Sequence, residues 1–178
     1  MTRISSTNRG FTLAELITVI VLVGVLAAII LPRYSDFNDD SKVSTLNATA
    51  GAIESALALV HSQALLQGQT TGNGSVVING VSIPLFNGYP AVDGSSSFVD
   101  INNQIQAWLD ISSVDRNTAR NDRNAAIFFT DKASAFNQIF IFFSEDYDSK
   151  SVSFPCQIRY QNQTSGTGPE IRVLTTGC

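Results

Sequence analysis

The sequence is poor in the side chains that most often carry out catalysis. It holds one histidine and two cysteines among 178 residues. No catalytic motif in the sequence pairs His61 with a serine or cysteine nucleophile, and a general base needs a positioned neighbour to act. The chain also lacks a phosphate-binding loop and an HExxH zinc motif. These absences argue against an enzyme, and we expect neither a catalytic residue nor a cofactor.

Positive charge is scarce as well. The chain has 11 Lys and Arg residues against 15 Asp and Glu residues, which gives a formal net charge of −4. Residues 1–10 hold Arg3 and Arg9 and no acid, so their removal would make the net charge more negative. Dedicated nucleic-acid proteins are usually basic. The composition therefore argues against DNA as a partner, although it does not exclude a local basic patch.

One such patch is suggested by three arginines. Arg116, Arg120 and Arg123 have the spacing of a single stripe on a helix. A stripe of this kind could contact DNA or an acidic neighbouring subunit. Asp115 and Asp122 interleave with the arginines and keep the local net charge small. The interleaving favours a solvated segment over a binding surface.

A group of acids gives a second candidate ligand site. Glu145, Asp146 and Asp148 could serve a calcium ion, because carboxylate oxygens are ligands that calcium prefers. Their spacing does not match that of an EF-hand loop. A solvated turn is the simpler interpretation, and we predict no metal site.

The sequence does contain one long apolar segment near its beginning. From Phe11 to Leu31 the only charged residue is Glu15. As a helix that rises about 1.5 Å per residue, the segment spans about 30 Å, the thickness of the hydrocarbon core of a bilayer. A carboxylate near the centre of a bilayer costs about 2.5–3.5 kcal/mol on insertion scales. Glu15 is therefore a candidate functional residue that needs a partner.

A cut in the chain beside this segment would create such a partner. Cleavage between Gly10 and Phe11 would give Phe11 a free α-amino group, about 6 Å along the helix axis from Glu15. The helix directs the Glu15 side chain sideways, so the amine of its own chain is poorly placed to pair with it. The amine of a neighbouring subunit, shifted along the axis, could reach the carboxylate. Both charges would then be removed from the hydrocarbon together.

These residues resemble the class III signal of type IV pilins and pseudopilins. The features shared with that family are a basic leader, a Gly-Phe junction, a glutamate and a proline, here Arg3, Arg9, Gly10, Phe11, Glu15 and Pro32. The resemblance implies that a prepilin peptidase cuts after Gly10 and methylates the new amino group of Phe11. It also implies that Glu15 orders identical or related pilin subunits while an assembly machinery builds the filament.

The same resemblance implies a location and a division of the chain. The precursor would lie in the inner membrane, and the mature chain in an extracellular pilus on a Gram-negative cell. Residues 1–10 would be the leader peptide, residues 11–34 the hydrophobic transmembrane and assembly helix, and residues 35–178 the globular domain, including the C-terminal half of the long helix. Pro32 lacks an N–H and should kink or interrupt the helix, and Gly24 and Pro32 would bound a flexible region.

Two other interpretations of the apolar segment are open. A secretory signal peptide has an apolar core of about 7–15 residues, which is shorter than this run, and Glu15 would be out of place in it. A plain membrane anchor would carry Glu15 by chance. The fixed positions of Gly10, Phe11 and Glu15 beside a bilayer-length run favour the pilin-type signal.

The rest of the sequence predicts an α+β fold, in which a long helix packs on an antiparallel β-sheet. Apolar residues recur at spacings of three and four from Val43 to Ala64, which indicates an amphipathic helix over about residues 35–67. Asn79-Gly80 favours a hairpin. The remaining expected elements are a loop at 86–90, a short helix at 98–111 and strands at 125–130, 138–144, 152–160 and 170–175. The run from Ile139 to Phe143 is apolar throughout, which predicts a central strand.

The globular domain has a narrower resemblance, to mannose-sensitive haemagglutinin (MSHA) pilins. It rests on Gly88-Tyr89-Pro90, Cys156, Ile158, Tyr160 and a terminal Thr-Gly-Cys. Independently, an exported chain meets an oxidising compartment, where an even number of cysteines is usually paired. We therefore expect a Cys156–Cys178 disulfide in preference to two free thiols.

The preferred function is that of a structural subunit of an MSHA-type pilus that adheres to surfaces or cells through a ligand the sequence does not identify. One alternative is a pseudopilin of type II secretion. Another is a minor pilin, and a third is a competence pilin that binds DNA through the arginine stripe.

Overall fold

The structure is a computed structural model that describes residues 10–92, 94–163 and 168–178, without the side chains of residues 31–36. Arg3 and Arg9 of the expected leader lie outside these ranges. The chain divides into two compact units, Met1–Ser41 and Lys42–Cys178. The division falls seven residues beyond the boundary expected after residue 34.

The first helix, α1, spans Leu13–Leu66. It continues through Gly24 and Pro32, so neither residue interrupts the helix in the single chain. The predicted apolar stripe is confirmed: from Leu46 to Ala64 its members are buried, and Val43 is half-buried. The helix ends because Gly68 adopts a φ of +67°, which lets the N–H of Gln69 bond the carbonyl of Ala64 at 2.8 Å.

A small three-stranded sheet follows α1. Its strands are β1 (Asn73–Ile78), β2 (Val81–Phe86) and β3 (Tyr89–Pro90), all antiparallel. The predicted hairpin is confirmed, with Asn79 and Gly80 both at positive φ. The expected loop at 86–90 is wrong in part, because Asn87 and Gly88 repeat the positive-φ turn and start β3.

A five-stranded sheet forms the second half of the domain. Helix α2 (Phe98–Leu109) and helix α3 (Arg116–Asn121) precede or connect its strands. The strands lie in the order β4 (Ser113–Asp115), β5 (Phe128–Ala133), β6 (Gln138–Phe143), β7 (Gln157–Asn162) and β8 (Pro169–Leu174). All neighbours are antiparallel except β4 and β5, which are parallel. The α+β prediction is confirmed, and the one parallel pair is an addition to it.

Two predicted strands have shifted boundaries. The strand expected at 152–160 begins at Gln157, because the Gln157 side chain holds the preceding residues in a turn by donating to the carbonyls of Ser151, Val152 and Phe154. The strand expected at 125–130 begins at Phe128, which is the residue that pairs with Phe143 at the end of β6.

The core lies on both faces of the large sheet, with β6 at its centre. Every residue of β6 is buried, as its continuous apolar sequence predicts. On one face Ile139, Ile141 and Phe143 pack with the buried stripe of α1 and with α2. On the other face Phe140 and Phe142 pack with Phe129 and Tyr147. The sheet therefore separates α1 and α2 from an aromatic layer on its outer face, which also includes Ala119 of α3.

Candidate assembly site

The start of α1 holds Glu15 in a reciprocal cap with Thr12. The Glu15 carboxylate accepts hydrogen bonds from the Thr12 backbone N–H at 2.9 Å and from the Thr12 hydroxyl at 2.8 Å. The Glu15 N–H in turn donates to the Thr12 hydroxyl oxygen at 3.3 Å. This is a capping box, in which a Thr and the Glu three residues later satisfy free donors at a helix N-terminus. An anion there is also stabilised by the helix dipole.

The cap leaves the charge of Glu15 without a counter-ion. Among the residues that the structure describes, no cationic side chain forms a salt bridge with it. Hydrogen bonds orient the carboxylate but do not neutralise it, and a lone ion in hydrocarbon is heavily penalised. Glu15 therefore caps the helix, but its carboxylate has no ion-pair partner in the described part of the chain.

The first part of α1, up to Ile30, has an exposed and almost entirely apolar surface. The stretch Leu13–Ile30 has a mean hydropathy of 2.8, and none of it is buried within the chain. A second stretch, Phe37–Leu66, passes the same test of length and hydropathy at 1.3, but 39% of it is buried and its apolar stripe belongs to the domain core. An exposed apolar surface of this length requires lipid or other protein chains to cover it.

The expected cleavage position lies in front of the helix. Gly10 and Phe11 are not helical, and Phe11 is 86% exposed. A Cβ on Gly10 would meet no atom within 4 Å, and Gly10 is not among the glycines with positive φ. Among the residues that the structure describes, none therefore requires glycine at this position.

Comparison with known proteins concerns this part of the chain. Residues 5–31 match the model of the prokaryotic N-terminal methylation motif. The first third of the chain is similar to type IV pilins. We call residues 5–31 the pilin-like segment below.

The relatives of the pilin-like segment are major pilus subunits. The type IV narrow pilus major component PilA5 of Thermus thermophilus is 46% identical over 56 residues, 32% of this chain and 48% of that protein. The type IV major pilin protein PilA of Myxococcus xanthus is 39% identical over 32% of this chain and 26% of its own length. The type IV major fimbrial protein FimA of Dichelobacter nodosus is 38% identical over 29% of this chain and 33% of its own.

The similarity is limited in extent. The chain spans about half the length of the first of these relatives and about a quarter to a third of the other two. No solved structure matches the chain. The domain after the pilin-like segment is therefore interpreted from its own geometry.

The two cysteines of that domain form a disulfide, as the sequence predicts. Cys156 is fully buried at the start of β7, and its bridge to Cys178 closes a loop with a sequence separation of 22. A loop of this size is worth about 3 kcal/mol in the chain-entropy model. The bridge fixes the last residues to the core of the large sheet.

The arginine stripe is not formed. Helix α3 ends at Asn121, so Arg123 lies outside it, and the expectation of one helical stripe is wrong for this residue. Arg116 forms a salt bridge with Asp131 at 3.5 Å, and Arg123 forms one with Asp148 at 3.0 Å. Arg116 and Arg123 each have an acidic partner, so the three arginines do not form one unpaired basic stripe.

The acidic group at 145–148 also faces cations of the same chain. Lys42 lies 2.7 Å from Glu145 and 3.3 Å from Asp146. Burial alone would lower the pKa of Lys42, but the hydrogen bonds and the attraction of these two carboxylates raise it. The carboxylates considered for calcium thus hold α1 against the turn after β6.

His61 has a structural contact. Its ring stacks on Tyr89 with centroids 4.3 Å apart, and its Nδ1 lies 3.2 Å from the carbonyl oxygen of Gly88. The histidine therefore joins α1 to the turn between β2 and β3, which agrees with the structural role expected for it.

Proposed function

We propose that this chain is the structural subunit of a type IV pilus. Its precursor is anchored in the inner membrane by α1, cut by a prepilin peptidase between Gly10 and Phe11, and methylated on the amino group of Phe11. An assembly machinery then adds the mature chain to an extracellular filament on a Gram-negative cell. The observation that carries the proposal is the bare apolar helix that begins with a capped but unpaired Glu15, at the position of the methylation motif.

Assembly through the helix follows from the requirements of Glu15. The cap with Thr12 directs the carboxylate toward the N-terminal end of α1. A neighbouring subunit that slides its own N-terminus to this level brings an α-amino cation to the uncompensated anion. Pairing the two charges removes the penalty that each carries in hydrocarbon. Because the pairing needs an axial shift between subunits, it also sets their register.

The region between Gly24 and Pro32 is proposed to change on assembly. Pro32 cannot donate a backbone hydrogen bond, and glycine weakens a helix by about 1 kcal/mol relative to alanine. The segment is helical in the single chain. Packing among other subunits would therefore unwind residues 24–32 into an extended conformation at a modest cost in free energy.

The finer proposal is an MSHA-type pilus that adheres to surfaces or cells. It is supported by the residues that resemble those pilins, which occupy a structurally connected part of the domain. Tyr160 of β7 donates a hydrogen bond to the carbonyl of Pro90 in β3 at 2.7 Å, and Cys156 precedes the same strand. The disulfide-closed segment would then be displayed on the outside of the filament.

Imaging tests the proposal at the level of the cell. A strain lacking this chain should lose a class of surface filaments, and expression of the wild-type chain should restore them. A matched strain expressing Phe11→Ser with the domain intact tests whether the pilin-like segment is needed. Unchanged filaments in the deletion strain would contradict a structural role in any pilus.

A further inference from the structure

The cations of the domain are concentrated on one face of the large sheet. Eight of the chain's Lys and Arg residues follow Ser41. Lys42 and Arg123 pair with acids at the turn after β6. Four others lie on or beside the outer face of the sheet, which we call the basic face: Arg116, Lys150, Arg159 and Arg172. Among the described residues, only Asp131 and Glu170 form salt bridges with these four. Lys132 alternates to the other face of β5, where its ammonium donates to the carbonyl of Ser96.

Strand register creates this concentration. Asp131, Phe140, Arg159 and Arg172 are directly opposite one another across β5, β6, β7 and β8. Directly opposed residues share a face of the sheet, and like charges in that position are destabilising. Glu170 forms a salt bridge with Arg172 and its carboxylate also attracts Arg159, so one acid serves both arginines. The face keeps an excess of positive charge, which points to a use outside folding.

Two of these four cations, Lys150 and Arg159, form no salt bridge in the described part of the chain. The guanidinium of Arg159 lies over the Phe140 ring at 5.6 Å and donates to the carbonyl of Val152, and its Nε is buried without a hydrogen-bond acceptor. The ammonium of Lys150 lies 3.6 Å from the centre of the Tyr147 ring. Both cations are attracted to nearby acids, Lys150 to Asp131 and Arg159 to Glu170, but neither forms a direct salt bridge with them, and both can therefore also contact an external anion.

A pocket of about 280 Å³ opens on the basic face. Arg116 and Lys150 line it together with Asp131 and with Val152, the residue whose carbonyl holds Arg159. Burial raises the pKa of Asp131, and the attraction of Arg116 and Lys150 partly opposes this. The pocket therefore combines several anion-binding groups with one carboxylate that can accept a hydrogen bond.

We propose that the basic face is a binding site for acidic sugars, in which Lys150 and Arg159 bind a sugar carboxylate and Asp131 accepts a bond from a neighbouring hydroxyl. The volume is slightly below the range of about 300–1,000 Å³ for drug-sized ligands, which suits one sugar ring. A uronic acid carries both required groups on adjacent carbons. A DNA phosphodiester carries no hydroxyl group that could donate to Asp131, so it would use only the cations of the site.

The binding test uses the full chain in neutral detergent micelles, so it does not depend on filament assembly. The probe is trigalacturonate, and its methyl ester is the uncharged control. Calorimetry at low salt should show binding of the acid, at least about tenfold weaker binding of the ester, and weakening as salt is added. Lys150→Gln and Arg159→Gln should each weaken binding about tenfold, since each removes a charge-assisted contact.

Arg120→Gln is the matched control, because Arg120 is exposed on α3 and does not line the pocket. It should bind trigalacturonate like the wild type. Equal binding of acid and ester, no binding of the acid, or an equal effect of Arg120→Gln would each overturn the proposal. A short DNA duplex is titrated in parallel, and tighter binding of DNA than of trigalacturonate would assign the face to nucleic acid instead.

Discussion

Glu15 receives both of the hydrogen bonds that Thr12 can donate, at 2.9 Å from the backbone and 2.8 Å from the hydroxyl. As an acceptor the carboxylate caps α1 within its own chain. As an anion, we propose, it pairs with a cation of another chain. The two functions respond differently to substitution, which makes the assembly mechanism testable.

Glu15→Gln separates the charge from the cap. Glutamine can fill the same position of a capping box, so the start of α1 should remain ordered. The anion is lost, and we expect Glu15→Gln to be processed normally but excluded from filaments, as we expect of Glu15→Val. Immunoblots of membrane and sheared-filament fractions measure both steps. Normal filaments from Glu15→Gln would show that the cap, and not the charge pair, is what assembly requires.

Thr12→Val removes the cap and keeps the charge. Loss of a threonine N-cap costs about 0.5–2 kcal/mol, so the first turn of α1 should fray. Hydrogen exchange of the amides at 13–16 in micelles should be faster than in the wild type, while Thr12→Ser should exchange like the wild type. Equal protection in Thr12→Val and wild type would contradict the capping role.

The disulfide is expected to stabilise the domain by about 3 kcal/mol. Reduction of the full chain in micelles should lower its unfolding midpoint in guanidinium. A variant with both Cys156→Ser and Cys178→Ser should start at the lower midpoint and should not respond to reductant. If the wild type and this variant unfold at the same denaturant concentration, the bridge carries no stability.

Asn162 joins the two sheets more strongly than Tyr160 does. The Asn162 side-chain amide lies within 2.9–3.1 Å of the carbonyls of Phe86, Tyr89 and Pro90, whereas the Tyr160 hydroxyl serves Pro90 alone. Asn162→Ala should cost about 1–3 kcal/mol by leaving buried carbonyls unpaired, and Tyr160→Phe about 1 kcal/mol. Chemical unfolding of both variants measures the two losses in unfolding free energy. A larger loss in Tyr160→Phe than in Asn162→Ala would contradict the expected ranking.

The elements that the sequence predicts well have strong periodic or continuous apolar patterns. The stripe from Leu46 to Ala64 and the central strand β6 are of this kind. Strand β4 has no such pattern, because Ser113 and Asp115 are polar and are buried by specific partners: Ser113 bonds Asn102 at 2.9 Å, and Asp115 caps α3. Tertiary contacts make β4 a strand, and no local signal indicates them.

The candidate sites also differ in how far the sequence predicts them. The cap can be predicted from the sequence, because Thr12-Leu13-Ala14-Glu15 fits the capping-box pattern, although the charge of Glu15 by itself suggests only a contact between subunits. The basic face cannot be predicted from the sequence. Lys150, Arg159 and Arg172 share no sequence motif, and only the register of β7 and β8 and the turn after β6 bring them to one surface.

The most direct test of the central claim is the N-terminal mass of the chain in purified filaments. Filaments are sheared from cells, and the N-terminal peptide of this chain is sequenced by mass spectrometry. A peptide that begins at Phe11 and carries one methyl group on its amine is the predicted result. Filaments without this chain, or a mature chain that begins at any other residue, would contradict the proposal that it is cut after Gly10 and polymerised through Glu15.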